Sequence, residues 1–326
     1  MRKVDMLQSM RTVIGLTAAA LLAFAQPAGT MSQTALTTLH VAGVLSDEMT
    51  PVLYAEKSGL YAKAGLDVQI VPAGSGAAVS SAVLAGTYEI GKSSLVSLMN
   101  AHVHGLPLVI IGGSGVYDPK TPYAQMVVAA DSPIASAKDL NGKTIGVPSL
   151  NDLNVLAADM WIDKNGGDSR TVHYVELPTS ALGAAVIEKR ADASVMTYPY
   201  LADVLEAHTV KPLGAAYTAI ANSFLITVWF VSSDWAAKHA DTIHAFIDAT
   251  DRAALYTNVH HAETAPMIAD ATKIPLAVIT KMPRSESSTA LHLSDLQPLI
   301  DGAAKYKLIP QSFPASDMLW NGISAK

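Results

Sequence analysis

The chain has 326 residues, of which 50% are hydrophobic and 15% charged, a composition that excludes general disorder. The formal net charge of −6 lacks the positive excess that nucleic-acid binding needs, so no nucleic-acid partner is expected. Beyond residue 30, no uninterrupted apolar run approaches the roughly 18 residues of a membrane-spanning helix. The length favours two domains over a single hydrophobic core.

Residues 1–25 have the order of a secretory signal peptide. Arg2, Lys3 and Arg11 precede an uncharged apolar stretch that ends in Ala-Phe-Ala, a pattern that signal peptidase accepts. A buried core helix is the alternative interpretation. The chain has no cysteine, which excludes disulfides, thiolate metal sites and a lipid-modified N-terminal cysteine. We therefore expect a periplasmic protein that is not lipidated and does not insert into the membrane.

From residue 36 onward, short apolar strands alternate with helical segments. The first group of predicted strands covers residues 38–44, 67–71, 88–91 and 109–111, with helices at 51–64, 77–85 and 94–104. A Pro- and Tyr-rich stretch at 117–123 follows. The second group has strands at 125–129, 144–147, 171–176 and 193–196, with helices at 151–165 and 180–189. A further strand at 224–231 precedes a helical C-terminal part. This order predicts two α/β lobes with parallel sheets and two crossings between them.

Ligands of parallel sheets bind beyond the carboxyl ends of the strands, where loops lead into helix N-termini. In this chain, the loops at 46–50, 73–76, 92–94, 148–152 and 197–200 are rich in Gly, Ser, Thr and Asn. Their N–H and hydroxyl groups suit an anion, which helix N-termini also favour. The alternative for each loop is simple helix capping. Five such loops at one cleft favour a binding site.

Five segments resemble the substrate-binding proteins of ABC importers, in the nitrate/sulfonate/taurine group related to the NMT1/THI5-like proteins. The segments are LYAKAGLDV at 60–68, AGTYEIG at 85–91, DLNGKTIGV at 139–147, ADA at 191–193 and YPY at 198–200. They occur in the family's order and spacing. Two positions depart from its pattern, since Glu89 replaces an aspartate and Tyr198 stands where an acid precedes the proline.

The resemblance implies a type II periplasmic-binding-protein fold. Residues 36–122 and 223–326 would form lobe 1, residues 123–222 would form lobe 2, and the ligand would lie in the cleft between them. Hinge closure would trap the ligand in the cleft. The closed protein would then deliver the ligand to a membrane permease that has a separate ATPase subunit. A monomer without a cofactor is expected.

The candidate ligand-binding residues lie in or beside the cleft loops. They are Ser46, Asp47, Ser75, Gly76, Lys92, Ser93, Ser94, Gln125, Ser149, Asn151 and Tyr198. Lys92 would face the cleft in this fold, where its ammonium suits a small organic anion such as a sulfonate or carboxylate; a solvated lysine at the rim is the alternative. Several aromatic side chains near the crossings could stack on an aromatic ligand or pack the hinge. These are Tyr117, Tyr123, Tyr198, Tyr200 and Trp229.

Three other functions were weighed. The segment GTYEIGKS at 86–93 satisfies the Walker A expression, but a helix precedes it and its centre is typical of a strand. A periplasmic enzyme on the same fold, similar to thiamine-precursor or menaquinone-pathway proteins, would need an acid/base pair. Asp47 and Glu48 are the candidates, although adjacent loop residues usually point apart. A ligand sensor that signals to a receptor cannot be distinguished from an importer component by sequence. The expected function is therefore the solute-binding component of an ABC importer, and not an enzyme.

Overall fold

The computed structural model describes residues 35–121 and 123–323, so the predicted signal peptide lies outside the described residues. The strands are β1 (Thr37–Gly43), β2 (Leu66–Pro72), β3 (Ile90–Ser94), β4 (Leu108–Tyr117), β5 (Ala124–Ala129), β6 (Thr144–Val147), β7 (His173–Glu176), β8 (Ala193–Thr197), β9 (Val210–Ala215), β10 (Phe224–Ser232) and β11 (Glu286–Ser287).

Two separate sheets are surrounded by the α-helices. They are α1 (Thr50–Lys57), α2 (Leu60–Lys63), α3 (Gly76–Leu84), α4 (Leu95–Val103), α5 (Leu153–Lys164), α6 (Leu182–Ile187), α7 (Tyr200–Glu206), α8 (Ser233–Ala236), α9 (Ala240–Thr257), α10 (His261–Thr272), α11 (Leu276–Lys281) and α12 (Gln297–Lys305). Within the described part of the chain, no helix combines the length and the apolar character needed to cross a bilayer.

One sheet has six strands in the order β11-β4-β10-β3-β1-β2, and the other has five in the order β7-β6-β8-β5-β9. The prediction of two α/β units is confirmed, but the prediction of purely parallel sheets is wrong. Strand β10 runs antiparallel to β3 and β4, and β5 runs antiparallel to β8 and β9. The chain crosses between the sheets directly before β5 and before β10. Strands β5 and β10 therefore begin at the end of the sheet where their antiparallel neighbours finish.

Two departures from the sequence-based prediction lie in β3 and β9. Lys92, Ser93 and Ser94, predicted as a loop, form the end of β3. Strand β9 was not predicted because its sequence contains Pro212 and few β-branched residues. It lies at the edge of the five-stranded sheet, where the absence of a proline N–H is tolerated.

The six-stranded sheet is covered on one face by α9, which presents a buried stripe including Ile243, Phe246 and Ala253. Trp229 of β10 meets the Phe246 ring edge-on at 5.5 Å, and Tyr61 stacks on the same ring. Trp229, Tyr61 and Phe246 are almost completely buried. The Trp229 ring, a candidate for stacking on a ligand, therefore belongs to the core.

The two crossings between the sheets lie side by side. Tyr117 at the end of β4 pairs in register with Phe224 at the start of β10, and their rings stack at 4.9 Å. Tyr217 and Tyr123, from the two connecting segments, extend this aromatic cluster. A hinge made of two chain segments requires two such adjacent crossings. The exact lobe boundaries stay a prediction.

Candidate functional site

A polar cavity of about 70 Å³ lies between the two sheets, with room for roughly five water molecules. From the six-stranded sheet come residues after β1, at the start of α3, in β3 and in β10. From the five-stranded side come residues directly before β5, after β6, after β7, at the end of β8 and after β9. The lining residues are Val44, Ser46, Glu48, Gly76, Lys92, Ser93, Ser94, Tyr123, Pro148, Asp152, Leu153, Asn154, Thr179, Thr197, Tyr217, Ile226 and Thr227.

Lys92 and Glu48 form a buried ion pair in the wall of the cavity. The Lys92 Nζ atom lies 3.6 Å from Glu48 Oε2, and each side chain is 2% exposed. Nζ also donates a hydrogen bond to Ser46 Oγ at 2.6 Å. Burial lowers the pKa of Lys92, and the negative charge of Glu48 opposes this shift.

The Glu48 side chain is held by a tyrosine and accommodated by a glycine. Its Oε1 atom accepts a hydrogen bond from the Tyr123 hydroxyl at 2.7 Å. A Cβ atom at Gly115 of β4 would lie only 2.3 Å from Glu48 Cγ. The absence of a side chain at Gly115 therefore lets the carboxylate occupy this position. Burial and the adjacent Glu48 charge raise the pKa of Tyr123 well above its ordinary value, so the phenol acts as a donor.

Asp152 supplies a second carboxyl group from the five-stranded side. It caps the N-terminus of α5, where Oδ1 accepts a hydrogen bond from the Asn154 N–H at 2.9 Å. Oδ2 accepts one from Ser94 Oγ at 3.2 Å, across the cleft. Burial raises the Asp152 pKa. Next to it, the Tyr217 hydroxyl donates to Asn154 Oδ1 at 2.8 Å.

Three buried oxygens in the cavity wall have no hydrogen-bond partner among the residues that the structure describes. They are Glu48 Oε2, Ser93 Oγ and, on the neighbouring strand β10, Thr227 Oγ1. Gly76 allows the N-terminus of α3 to approach β3 closely, because a Cβ atom at Gly76 would lie 2.3 Å from Ser93 Oγ. Buried polar atoms are normally paired, so these atoms mark the surface that a bound molecule would contact.

The two sheets are also joined at the edge of the cavity. The Thr179 N–H and hydroxyl both donate to the Gly74 carbonyl, at 3.2 and 3.3 Å. On another side, Ser97 Oγ donates to the Asn151 carbonyl at 2.8 Å. These contacts connect segments from opposite sides of the cleft and hold them together around the cavity.

The structure brings together five of the candidate residues as cavity lining: Ser46, Gly76, Lys92, Ser93 and Ser94. Six others lie outside it. Ser75 caps α3 through its side chain, and Ser149 accepts a hydrogen bond from the Asn151 N–H. Gln125 pairs with Met196 in the five-stranded sheet, and Tyr198 packs edge-on against Tyr123.

Asp47, the remaining candidate, is used in a structural ion pair. Its Oδ1 accepts a hydrogen bond from Arg284 Nε at 2.7 Å. Its Oδ2 accepts one from the Ser285 N–H at 2.6 Å and one from the Ser285 hydroxyl at 3.1 Å. Both charged side chains are almost completely buried. Asp47 thus fastens the segment after α11 to the loop after β1.

The sequence of residues 46–264, more than half of the chain, matches the family described as NMT1/THI5 like. The chain belongs to the NMT1/THI5-like family. A protein of Brachyspira hyodysenteriae, whose name assigns it provisionally to the ABC transporter periplasmic binding proteins, is 27% identical over 198 residues. This match covers 55% of the chain and 54% of that protein, so the chain spans about half the length of this curated relative.

Solved structures show which fold this NMT1/THI5-like chain has. The alkanesulfonate-binding protein SsuA of Xanthomonas axonopodis pv. citri, bound to MOPS, superposes with a TM-score of 0.75 at 16% identity, over 87% of this chain and 98% of that one. The periplasmic nitrate-binding protein NrtA of Synechocystis PCC 6803 gives a TM-score of 0.73 at 13% identity, over 87% and 84%. The predicted periplasmic-binding-protein fold is confirmed.

Several lining residues of this family member were not among the sequence candidates. Glu48 was considered only for acid/base chemistry. Asp152 is the last residue of the loop 148–152, from which only Ser149 and Asn151 were selected as candidates. Tyr123 was considered for stacking or hinge packing, whereas its hydroxyl holds Glu48. Tyr217 lies after β9 and Thr227 lies within β10. The sequence carries no loop motif at either position. For Asp152 a signal was available, because an aspartate directly before a helix is a typical N-cap.

Proposed function

We propose that this protein is the solute-binding component of an ABC importer. It would bind a small organic anion, a sulfonate or a carboxylate, in the cavity between the two sheets and deliver it to a membrane permease served by an ATPase subunit. Ligand-dependent closure would bring the two sides together, and the closed form would dock on the permease. The protein would act in the periplasm as a monomer, and not as an enzyme.

The observation that carries this proposal is a cavity lined mainly by polar residues that come from both sheets. Lys92, Ser93 and Ser94 end β3 on one side, while Asp152, Thr179 and Tyr217 line the other. A solute enclosed there would contact both sides at once and would favour the closed arrangement over an open one. Membership of the NMT1/THI5-like family and the periplasmic relatives agree with this role.

Two features support an anionic group on the solute. Lys92 is the one basic side chain among the described lining residues. The N-terminus of α3, at Gly76, reaches the same cavity, and helix N-termini favour negative charge. Hydroxyl donors from Ser93 and Thr227 lie beside them.

Thermal unfolding of the purified protein with a solute panel tests the proposal. The panel contains alkanesulfonates, aminosulfonates, aliphatic, amino-substituted and aromatic carboxylates, nitrate, thiamine precursors and ATP. A solute present at a hundredfold excess over its Kd adds about 2.7 kcal/mol to the free energy of unfolding, which raises the Tm by several degrees. A rise confined to one class of organic anion is the expected result. A response to ATP alone, or to no compound, would contradict the proposal.

A further inference from the structure

The positive charge of Lys92 is matched by a negative charge at short range. Its Nζ atom makes its shortest contact with Ser46 Oγ, at 2.6 Å, and lies 3.6 Å from Glu48 Oε2. Both Lys92 and Glu48 are 2% exposed, so solvent screens the pair little. A bare anion that enters the cavity therefore meets an ion pair and not a free cation.

Glu48 retains one oxygen with the capacity to accept a hydrogen bond. Oε1 is occupied by the Tyr123 hydroxyl at 2.7 Å. Oε2 has no hydrogen-bond partner within the described residues, since the 3.6 Å contact with Lys92 is longer than a hydrogen bond. A buried carboxylate oxygen without a donor is unfavourable, and an anion placed next to it adds repulsion. An N–H donor carried by the solute would remove both penalties.

The opposite wall adds a second acid. Asp152 is 8% exposed, and it lines the same cavity as Glu48. The described lining therefore contains two carboxyl groups and one ammonium group, and no arginine. This set attracts a solute that carries positive charge at one end more than it attracts a simple anion.

Acceptors on the solute would find hydroxyl donors elsewhere in the cavity. Ser93 Oγ and Thr227 Oγ1 are both unpartnered within the described chain, and both line the cavity. The two residues belong to β3 and β10, which are adjacent and antiparallel, and Thr227 pairs with Ser94. A compact anionic group could receive both hydroxyl hydrogens.

We infer that the solute is a zwitterion, an inference that rests on the proposed function. A protonated nitrogen of the solute donates to Glu48 Oε2, and its sulfonate or carboxylate accepts from Ser93 and Thr227. Glu48 is then the residue that determines specificity, because it distinguishes amino-substituted anions from simple anions.

Calorimetric titration with two matched pairs of compounds tests this inference in a sulfonate-free buffer. The pairs are propanesulfonate with 3-aminopropanesulfonate, and butyrate with 4-aminobutyrate. In at least one pair the amino compound is expected to bind at least about tenfold more tightly than its partner. In Glu48→Gln, this preference should shrink to within about threefold. Glu89→Gln, which alters a carboxylate bonded to His40 outside the cavity, should retain the wild-type preference.

The outcomes separate this inference from the function on which it rests. If the unsubstituted anions bind the wild-type protein as tightly as the amino compounds, or if the panel solute that binds carries no N–H cation, the zwitterion is excluded and the importer component stands. If neither the two pairs nor the wider panel binds, both fail. Circular dichroism shows whether Glu48→Gln folds. The comparison of pairs on the wild-type protein decides the outcome even if the variant does not fold.

Discussion

Asp47 and Glu48 are adjacent in the chain, yet their carboxylates bind partners in different parts of the molecule. Asp47 accepts hydrogen bonds from Arg284 and Ser285, outside the cavity, whereas Glu48 pairs with Lys92 inside it. Residues 47–49 form one 3₁₀ turn, in which successive side chains are about 120° apart around the axis. One short turn therefore supplies a structural ion pair and a cavity carboxylate.

The buried ion pair of Lys92 predicts a large effect of charge removal. In Lys92→Met, Glu48 loses its buried counter-charge, and we expect the free energy of unfolding to fall by about 3–5 kcal/mol in urea titrations. Lys281→Met is the matched control, because Lys281 pairs with Glu206 on the exposed surface. Its unfolding curve should almost coincide with that of the wild type. Equal effects of the two substitutions would contradict the assignment of Lys92 to a buried pair.

Asp47 is predicted to govern stability and not solute affinity. Asp47→Asn leaves Arg284 without its buried counter-charge, which should cost about 3–5 kcal/mol of the free energy of unfolding. The folded fraction should bind the tightest panel compound within about threefold of the wild type, since Asp47 does not line the cavity. Asp168→Asn, which alters an exposed pair with Arg170, is the control for stability. A selective loss of solute affinity in Asp47→Asn would show that Asp47 contributes to solute binding.

Gly115 is predicted to be required for the position of Glu48. In Gly115→Ala, the new Cβ would lie 2.3 Å from Glu48 Cγ, so the carboxylate must move out of its place. We expect about 1–3 kcal/mol of destabilisation together with weaker binding of the tightest panel compound in calorimetry. Gly112→Ala, on the same strand, meets the partly buried Ile247 away from the cavity and should lower stability alone. Unchanged binding in Gly115→Ala would show that Glu48 does not contact the solute.

The contacts between Thr179 and Gly74 predict an effect on closure. Thr179→Val keeps the shape of the side chain but removes the hydroxyl that donates to the Gly74 carbonyl. Loss of about 1 kcal/mol from the closed form would weaken solute binding roughly fivefold and increase the radius of gyration measured by X-ray scattering. The control is Thr209→Val, whose hydroxyl bonds to Val204 within the same half of the molecule. Equal affinities for both variants would exclude a closing role.

Two partly buried aspartates predict how stability depends on pH. Burial, opposed by a hydrogen bond from Tyr174, raises the pKa of Asp159 to about 6. Burial next to Asp248 raises that of Asp251 to about 6 as well. Between about pH 4 and 6 the folded protein holds protons that the unfolded chain has released, so these groups make stability fall as pH rises.

Asn substitutions at these two aspartates test the expected sign. Asp159→Asn should remove about 1–3 kcal/mol of the decline in the free energy of unfolding between pH 4 and 7. Asp251→Asn should reduce the decline in the same direction, and the double variant should reduce it further. In Asp168→Asn the decline should persist, because the Arg170 guanidinium holds the pKa of Asp168 below its ordinary value. A steeper decline in Asp159→Asn would contradict the assignment.

Local sequence was sufficient for the fold class and for part of the cavity lining. The strand predicted at 144–147 coincides with β6, because a short β-branched run between polar loops has few alternatives. Lys92, Ser93 and Ser94 line the cavity although they lie in a strand, because the end of β3 faces the cleft. Their binding of a solute stays a prediction. The two α/β units and the family resemblance likewise depend on neighbouring residues alone, and the signal peptide stays a prediction.

Only the tertiary structure decided which polar groups face the cavity and which are already paired. Arg284 reaches Asp47 across 237 positions of the chain, and Tyr123 reaches Glu48 across 75. Gly115 makes room for Glu48 from a strand far along the sequence. Such contacts follow from strand order and from the rotation of side chains within one turn. These depend on how all the elements pack, and no short stretch of sequence specifies them.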